Sequence, residues 1–184
     1  MGLRGRQLLK GEEFFFITTT VVHHAKVFIK KEYCDILLHN IRYYQQRYKF
    51  EILGYATMPS HLHWIIEIKS SQGSVSDIMR DVKKYSAWDI MEAIEHDGQT
   101  NLIKLFEDSA YLSNSHSQKR KFWMPRFDDE VIHNEGMLLT KLGYIHNNPV
   151  KAGLVENPED YIFSSARNYI LDDHSVINIK TDWK

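Results

Sequence analysis

The sequence predicts an α+β fold: one antiparallel sheet with helices packed over it. Three observations carry that prediction. Short β-branched and aromatic runs at residues 14–22, 50–57 and 61–68 read as strands. Three- and four-residue apolar spacing over Phe28–Tyr48, and again from Val75 to Tyr85, reads as two amphipathic helices. The strands and helices also interleave, and no Gly-, Pro- or Ser-rich linker or internal repeat divides the chain. At 184 residues, 43% hydrophobic and 26% charged, the composition is that of one packed domain spanning 1–184, which excludes a disordered or collagenous chain.

The elements follow in order. Phe14-Phe15-Phe16-Ile17-Thr18-Thr19-Thr20-Val21-Val22 forms the first strand. In the first helix Ile29, Tyr33, Ile36, Leu37, Ile41, Tyr44 and Tyr48 make the apolar stripe, while Lys30, Lys31, Arg42 and Arg47 face away. Phe50–Thr57 and His61–Ile68 form a β-hairpin around Met58-Pro59-Ser60, because proline cannot continue a ladder. Ser74 with Asp77 caps a second helix carrying Val75, Ile78, Met79, Val82 and Tyr85. Residues 96–120 are polar and irregular around a short helix at Leu102–Leu112, with a loop at 113–117. Phe122-Trp123 and Val131-Ile132 flank a fourth extended segment. Asn134 then caps a last helix bearing Leu138, Leu142 and Ile145, which is expected to end near Asn148, before Pro149. This βαββαβ order is the split βαβ pattern of a ferredoxin-like sheet. Two helices cover one face, the other is left for a site or partner, and a C-terminal helix carrying Tyr144 is added.

The lone Cys34 excludes an intrachain disulfide and a Cys-based zinc cluster, and fits a reducing compartment. No apolar run approaches a membrane span or a signal peptide, so a cytoplasmic protein without membrane contact is expected. The net charge of -1 gives no support for a general polyanion coat. That figure averages unequal parts: residues 1–50 carry 9 basic and 4 acidic side chains, and residues 51–100 carry 4 and 8. Any polyanion would therefore be held by a local basic surface.

Two constellations carry chemistry. In His61-Leu62-His63-Trp64-Ile65-Ile66-Glu67-Ile68, alternation places Leu62, Trp64, Ile66 and Ile68 on one face and both histidines on the other, about 7 Å apart at Cα. Adjacent imidazoles of this kind either chelate a divalent cation or are simply solvated or hydrogen-bonded. Glu67 shares their face, as an acceptor for an imidazole N–H or as an edge carboxylate. In Tyr144-Ile145-His146-Asn147-Asn148-Pro149, Tyr144 and Asn148 share a helix face about 6 Å apart along the axis, offset from the apolar stripe. His23-His24 and His133 read as surface histidines, and His146 as pointing to water.

Gly54-Tyr55-Ala56-Thr57-Met58-Pro59-Ser60-His61-Leu62-His63-Trp64-Ile65-Ile66, followed by Tyr144-Ile145-His146-Asn147-Asn148-Pro149-Val150-Lys151-Ala152-Gly153-Leu154-Val155 and Asp160-Tyr161-Ile162-Phe163-Ser164-Ser165, resembles the single-tyrosine transposases with an H-U-H motif, IS200-like enzymes, and among them most nearly the REP-associated tyrosine transposases. The likeness spans a core of about 14–169. Ser60 departs from the Asn that many relatives carry there, and the 96–120 region is longer than the family pattern. The resemblance implies a metal-dependent single-stranded DNA endonuclease and strand transferase. Tyr144 would be the nucleophile forming a 5′-phosphotyrosine, and His61, His63 and Asn148 would be the ligands of Mg²⁺ or Mn²⁺. A non-catalytic, domesticated protein binding DNA hairpins on the same fold is the alternative, and a metal-dependent phosphohydrolase that uses water is a third. Some members exchange the tyrosine helix across a dimer and others do not, which leaves monomer and homodimer open.

Single-stranded or hairpin DNA would be held by Arg80, Lys83 and Lys84, by Lys119, Arg120, Lys121 and Arg126, and by Arg4, Arg6 and Lys10, unless these are merely solvated faces. Tyr85, Trp123 and Phe127 lie beside them, as base-stacking rings or as core.

Overall fold

The computed structural model describes residues 14–69, 73–112 and 119–182. The expected contacts of Arg4, Arg6 and Lys10 and the expected loop at 113–117 lie outside the described residues. The elements are β1 (Phe14–Thr20), α1 (Lys31–Tyr48), β2 (Glu51–Met58), β3 (His61–Glu67), α2 (Val75–His96), α3 (Thr100–Leu112), β4 (Asp128–Val131), α4 (Glu135–Lys151) and α5 (Ala166–Leu171). The fold is α+β with one four-stranded antiparallel sheet in the order β2-β3-β1-β4.

Alternation along the strands divides the apolar side chains between two cores. Phe15 and Ile17 of β1, Tyr55 of β2, and Leu62, Trp64 and Ile66 of β3 pack against α1 and α2 through Leu37, Ile41, Tyr44, Ile78 and Val82. Leu53, Ala56, Met58 and Ile65 point to the opposite face, where Leu138, Leu142 and Ile145 of α4 cover them. A bulge between Ile52 and Gly54 reconciles the two sets: one extra residue lets Ile52 and Tyr55 share a face despite their odd spacing.

Both faces are therefore covered, which corrects the expectation of an open one. The apolar stripe of α4 and the apolar residues beside the two histidines bury each other. Gly54 permits the close approach, since a Cβ there would lie 2.6 Å from Leu142 Cδ2.

Three helix boundaries differ from the sequence reading. The first helix begins at Lys31, after a single turn at Val27–Ile29, and Ile29 is exposed. Phe28 is held elsewhere: its N–H donates to Pro59 O (2.9 Å) and its ring packs on Phe122 and Trp123. The short helix expected at Leu102 starts at Thr100. The last helix runs through Pro149 to Lys151. A proline this near the end removes one hydrogen bond, and the next are made from Ala152 N to Asn148 O (2.9 Å) and Leu154 N to Pro149 O (3.0 Å). The caps at Ser74 and Asn134 are present, each accepting from the backbone N–H three residues on.

The outer edge of β2 is closed by the segment after α4. Thr57 N donates to Phe163 O, Ser165 N to Tyr55 O, and Tyr161 Oη to Thr57 O. Lys180 N donates to Ile52 O farther along. Covering this edge removes a template for strand addition. Among the described residues no helix is long and apolar enough to cross a membrane.

Candidate functional site

The two histidines sit at the hairpin end of the central strand β3. His61 lies opposite Thr20, and His63 opposite Thr18 of β1 and Ala56 of β2. Their rings are 4.6 Å apart, nearly perpendicular. His63 is 5% exposed and His61 is half-buried. Each imidazole has its Nδ1 engaged by a hydroxyl: His63 with Thr18 Oγ1 at 2.7 Å, His61 with Ser60 Oγ at 3.1 Å. Burial, with His61 as a second cause, pushes His63 down to about 3, and burial followed by the nearby His24 lowers His61. Both rings are accordingly neutral at pH 7, the form that binds a cation.

Tyr144 of α4 reaches the same point from above the sheet. Its Oη lies 3.5 Å from His63 Nε2, with the rings 5.2 Å apart at 73°. Phe16 of β1 fixes both partners, lying nearly parallel to His63 (5.7 Å, 17°) and edge-on to Tyr144 (5.9 Å, 82°). Lys141 closes the group, with Nζ 4.7 Å from the Phe16 ring centre and paired to Glu130. Tyr144 as a residue remains 43% exposed while its hydroxyl is positioned against His63. Asn148 is half-buried on α4, one helical turn beyond Tyr144.

His146 overturns its sequence reading. It is not turned to water but hydrogen-bonded through Nε2 to Ser165 Oγ (2.8 Å), and burial lowers its pKa to about 4. Ser165 Oγ in turn accepts from Tyr55 N–H (2.9 Å), so the pair fastens α4 to β2 two residues from Tyr144. Of the two readings of Glu67, the imidazole acceptor is set aside: it is buried at the far end of β3 and accepts from Lys180 Nζ (3.0 Å), away from the imidazoles. His133 is exposed. His23 and His24 are exposed too, both with left-handed backbone (φ 55 and 52).

Sequence reasoning missed Phe16 and Thr18. Both lie on the histidine-facing parity of β1, but that follows only once the β1/β3 register is known.

Among the described residues no group of three or more His, Cys, Asp and Glu side chains gathers as a metal cage. A cation here would depend on two imidazole nitrogens and neutral oxygens. The site fits such a cation on its donor chemistry: neutral rings, Nδ1 atoms occupied by hydroxyls, and Nε2 of His63 directed at the accessible Tyr144.

The basic residues converge on a groove of about 1260 Å³ between α2, α3 and the 119–127 segment. Arg80, Lys83, Lys84, Lys119, Arg120 and Lys121 line it; Arg126 is exposed but does not. Arg80 is paired with Asp77 and Asp81, and Arg120 with Glu95 and Glu107. Lys83 donates to Met124 O (2.7 Å). Of the three aromatic candidates, Trp123 is core: it is 6% exposed, with Nε1 donating to Ser86 Oγ (3.2 Å). Tyr85 and Phe127 are half-buried. The exposed ring is Trp88, which sequence reasoning passed over.

Residues 16–122 match the family described as "Transposase IS200 like". A REP-associated tyrosine transposase of Escherichia coli is 26% identical over 160 residues, 87% of this chain and 79% of that protein. A Haemophilus influenzae protein provisionally given the same name is 23% identical over 163 residues, 87% and 82% of the two chains. Among solved structures, a REP-associated tyrosine transposase bound to a REP hairpin superposes with a TM-score of 0.63 at 20% identity, covering 92% of this chain and 86% of that one, a likeness of fold. The family match takes in both histidines and more than half of the residues, and on that ground the chain belongs to the IS200-like transposases.

Proposed function

We propose that this chain cuts and rejoins single-stranded DNA through a covalent 5′-phosphotyrosine on Tyr144, on a ferredoxin-like frame. The observation that carries the reading is the placement of the hydroxyl of a partly exposed tyrosine 3.5 Å from Nε2 of a buried, neutral histidine in the same chain. In the reaction Tyr144 Oη forms a bond to phosphorus and the P–O3′ bond breaks. The proton lost by the phenol is balanced by the one gained at the 3′ oxygen. The phosphotyrosine conserves the ester, so a 3′-hydroxyl can later attack it and rejoin the strand without a nucleotide cofactor.

His61, His63 and the Asn148 amide oxygen would hold Mg²⁺ or Mn²⁺, a mixed nitrogen and oxygen set without thiolate. When bound, the cation supplies Lewis-acid polarisation of the phosphate and stabilises the leaving oxygen. The chain's own share is positional: Thr18 and Ser60 orient the imidazoles, Phe16 sets the angle between His63 and Tyr144, and the His146–Ser165 link holds α4 in place. The meeting of Tyr144 and His63 within one chain supports a site served by a single copy.

DNA is held by Arg80, Lys83, Lys84, Lys119, Arg120 and Lys121 around the groove, and by Arg126 beside it. The solved relative's REP hairpin supports a hairpin as partner. A second reading, hairpin binding without cleavage, is favoured by one observation: the groove is built independently of Tyr144.

The test uses a hairpin oligonucleotide with single-stranded flanks, labelled at either end, in Mn²⁺. A 3′ label that becomes protein-linked, with the 5′-labelled fragment released as a 3′-hydroxyl, supports the enzyme. Binding without either product supports the second reading.

A further inference from the structure

Trp88 is 55% exposed, in a protein whose other described tryptophans are buried. Its ring is nevertheless held. Lys84 Nζ lies 4.7 Å from its centre and 5.0 Å from that of Tyr85, and Tyr85 meets Trp88 edge-on at 5.3 Å and 77°. The residues fall at helical spacing on α2, so one turn of helix presents a cation, a supporting ring and an open indole.

The groove's cations are not alike, and Lys83 is tied to the Met124 carbonyl. Arg80 and Arg120 are each neutralised by two carboxylates and shape the wall. Lys84 adds positive charge at the indole, and Lys119 and Lys121 add it elsewhere along the groove, none of the three with a carboxylate partner among the described pairs. An aromatic platform beside a basic track is the chemistry that receives unpaired bases: each base has a π face to stack, and the phosphates run along the cations. A duplex cannot use it, because its base faces are already stacked and only edges and backbone are presented.

The groove also has a fixed relation to the histidines. Met124 N donates to Thr20 O (2.8 Å), and Thr20 pairs with His61, so the 119–127 wall begins at the end of the sheet where the histidines lie. We infer that Trp88 and Lys84 form a stacking platform for an unpaired base, and that the groove holds a single-stranded tract flanking the hairpin, separate from the strand cut at Tyr144. The inference rests on the DNA-processing reading above and adds where a flank is gripped.

The experiment measures binding of a blunt hairpin and of the same hairpin with a single-stranded tail on either side. Trp88→Ala is expected to weaken the tailed hairpin about 5- to 100-fold. It should leave the blunt hairpin unchanged, with Trp88→Phe retaining most of the affinity. Tyr43→Ala, at an exposed ring on α1, serves as control and should alter neither. Tailed but not blunt hairpin should quench tryptophan emission, and Trp88→Phe should lose that quench. Equal losses on both hairpins, or none on either, would overturn the platform while leaving the enzyme reading intact. A wild-type chain that binds neither hairpin would overturn the DNA reading and the platform with it.

Discussion

Tyr144 Oη and His63 Nε2 lie 3.5 Å apart, and each is held from behind, the tyrosine by the Phe16 edge and the imidazole by Thr18 Oγ1. The nitrogen that a cation would use is thus the one the tyrosine hydroxyl faces. Tyr144→Phe is therefore expected to leave Mn²⁺ affinity unchanged or tighten it by up to about 1 kcal/mol, the worth of one hydrogen bond given up. Calorimetric titration checks this. A markedly weaker Mn²⁺ site in the variant would make the tyrosine a ligand instead of a nucleophile.

Thr18→Val keeps the shape of the residue and removes the oxygen bonded to His63 Nδ1. Loss of such an orienting partner lowers metal affinity about 10- to 100-fold. The same titration should show that drop while circular dichroism stays native. An unchanged affinity would mean that the hydroxyl does not orient the ring.

Gly54→Ala places a methyl 2.6 Å from Leu142 Cδ2, where β2 packs on α4. The overpacking is expected to cost about 1–3 kcal/mol. Because Leu142 stands two residues before Tyr144, DNA-adduct yield should fall further than the folded fraction does. Urea denaturation and adduct formation measured together separate these effects. A yield that simply tracks the folded fraction would show that α4 can shift without disturbing Tyr144.

Burial holds His146 at about 4 and His63 at about 3, whereas in the unfolded chain both titrate near 6.5. Between those values the unfolded state binds more protons, so stability rises with pH across the window and is lost on acidification below about 6.5. Each imidazole contributes up to about 1.4 kcal/mol per pH unit. Denaturation curves should be level from pH 8 to 7 and decline from 6.5 to 5, with a shallower decline in His146→Gln. A level curve down to pH 5 would contradict the burial of both rings.

The parts of this protein legible in its sequence are those encoded by local periodicity. Alternation in β3 separated His61 and His63 from Trp64 and Ile66, and spacing on α4 separated Tyr144 from Leu142 and Ile145. What was not legible depends on register and packing. Phe16 and Thr18 become site residues only through the β1/β3 pairing, and His146 becomes structural only because Ser165, 19 residues later, closes the edge of β2. Trp88 lies off the apolar stripe read on α2, and nothing within that helix reveals that the 119–127 segment makes its surface one wall of a groove. Trp123 shows another limit: beside basic residues it was open to either a stacking ring or core, and its burial at 6% exposure, next to a bridge to Val21, makes it core.

The central claim is that Tyr144 becomes covalently attached to DNA, and one measurement addresses it directly. After reaction with a flanked hairpin in Mn²⁺, trypsin cuts after Lys141 and Lys151, releasing a peptide, 142–151, in which Tyr144 is the sole tyrosine. Mass spectrometry should find this peptide carrying a 5′-linked nucleotide in the wild type and unmodified in Tyr144→Phe. A nucleotide on any other peptide, or an equal adduct in Tyr144→Phe, would contradict the account.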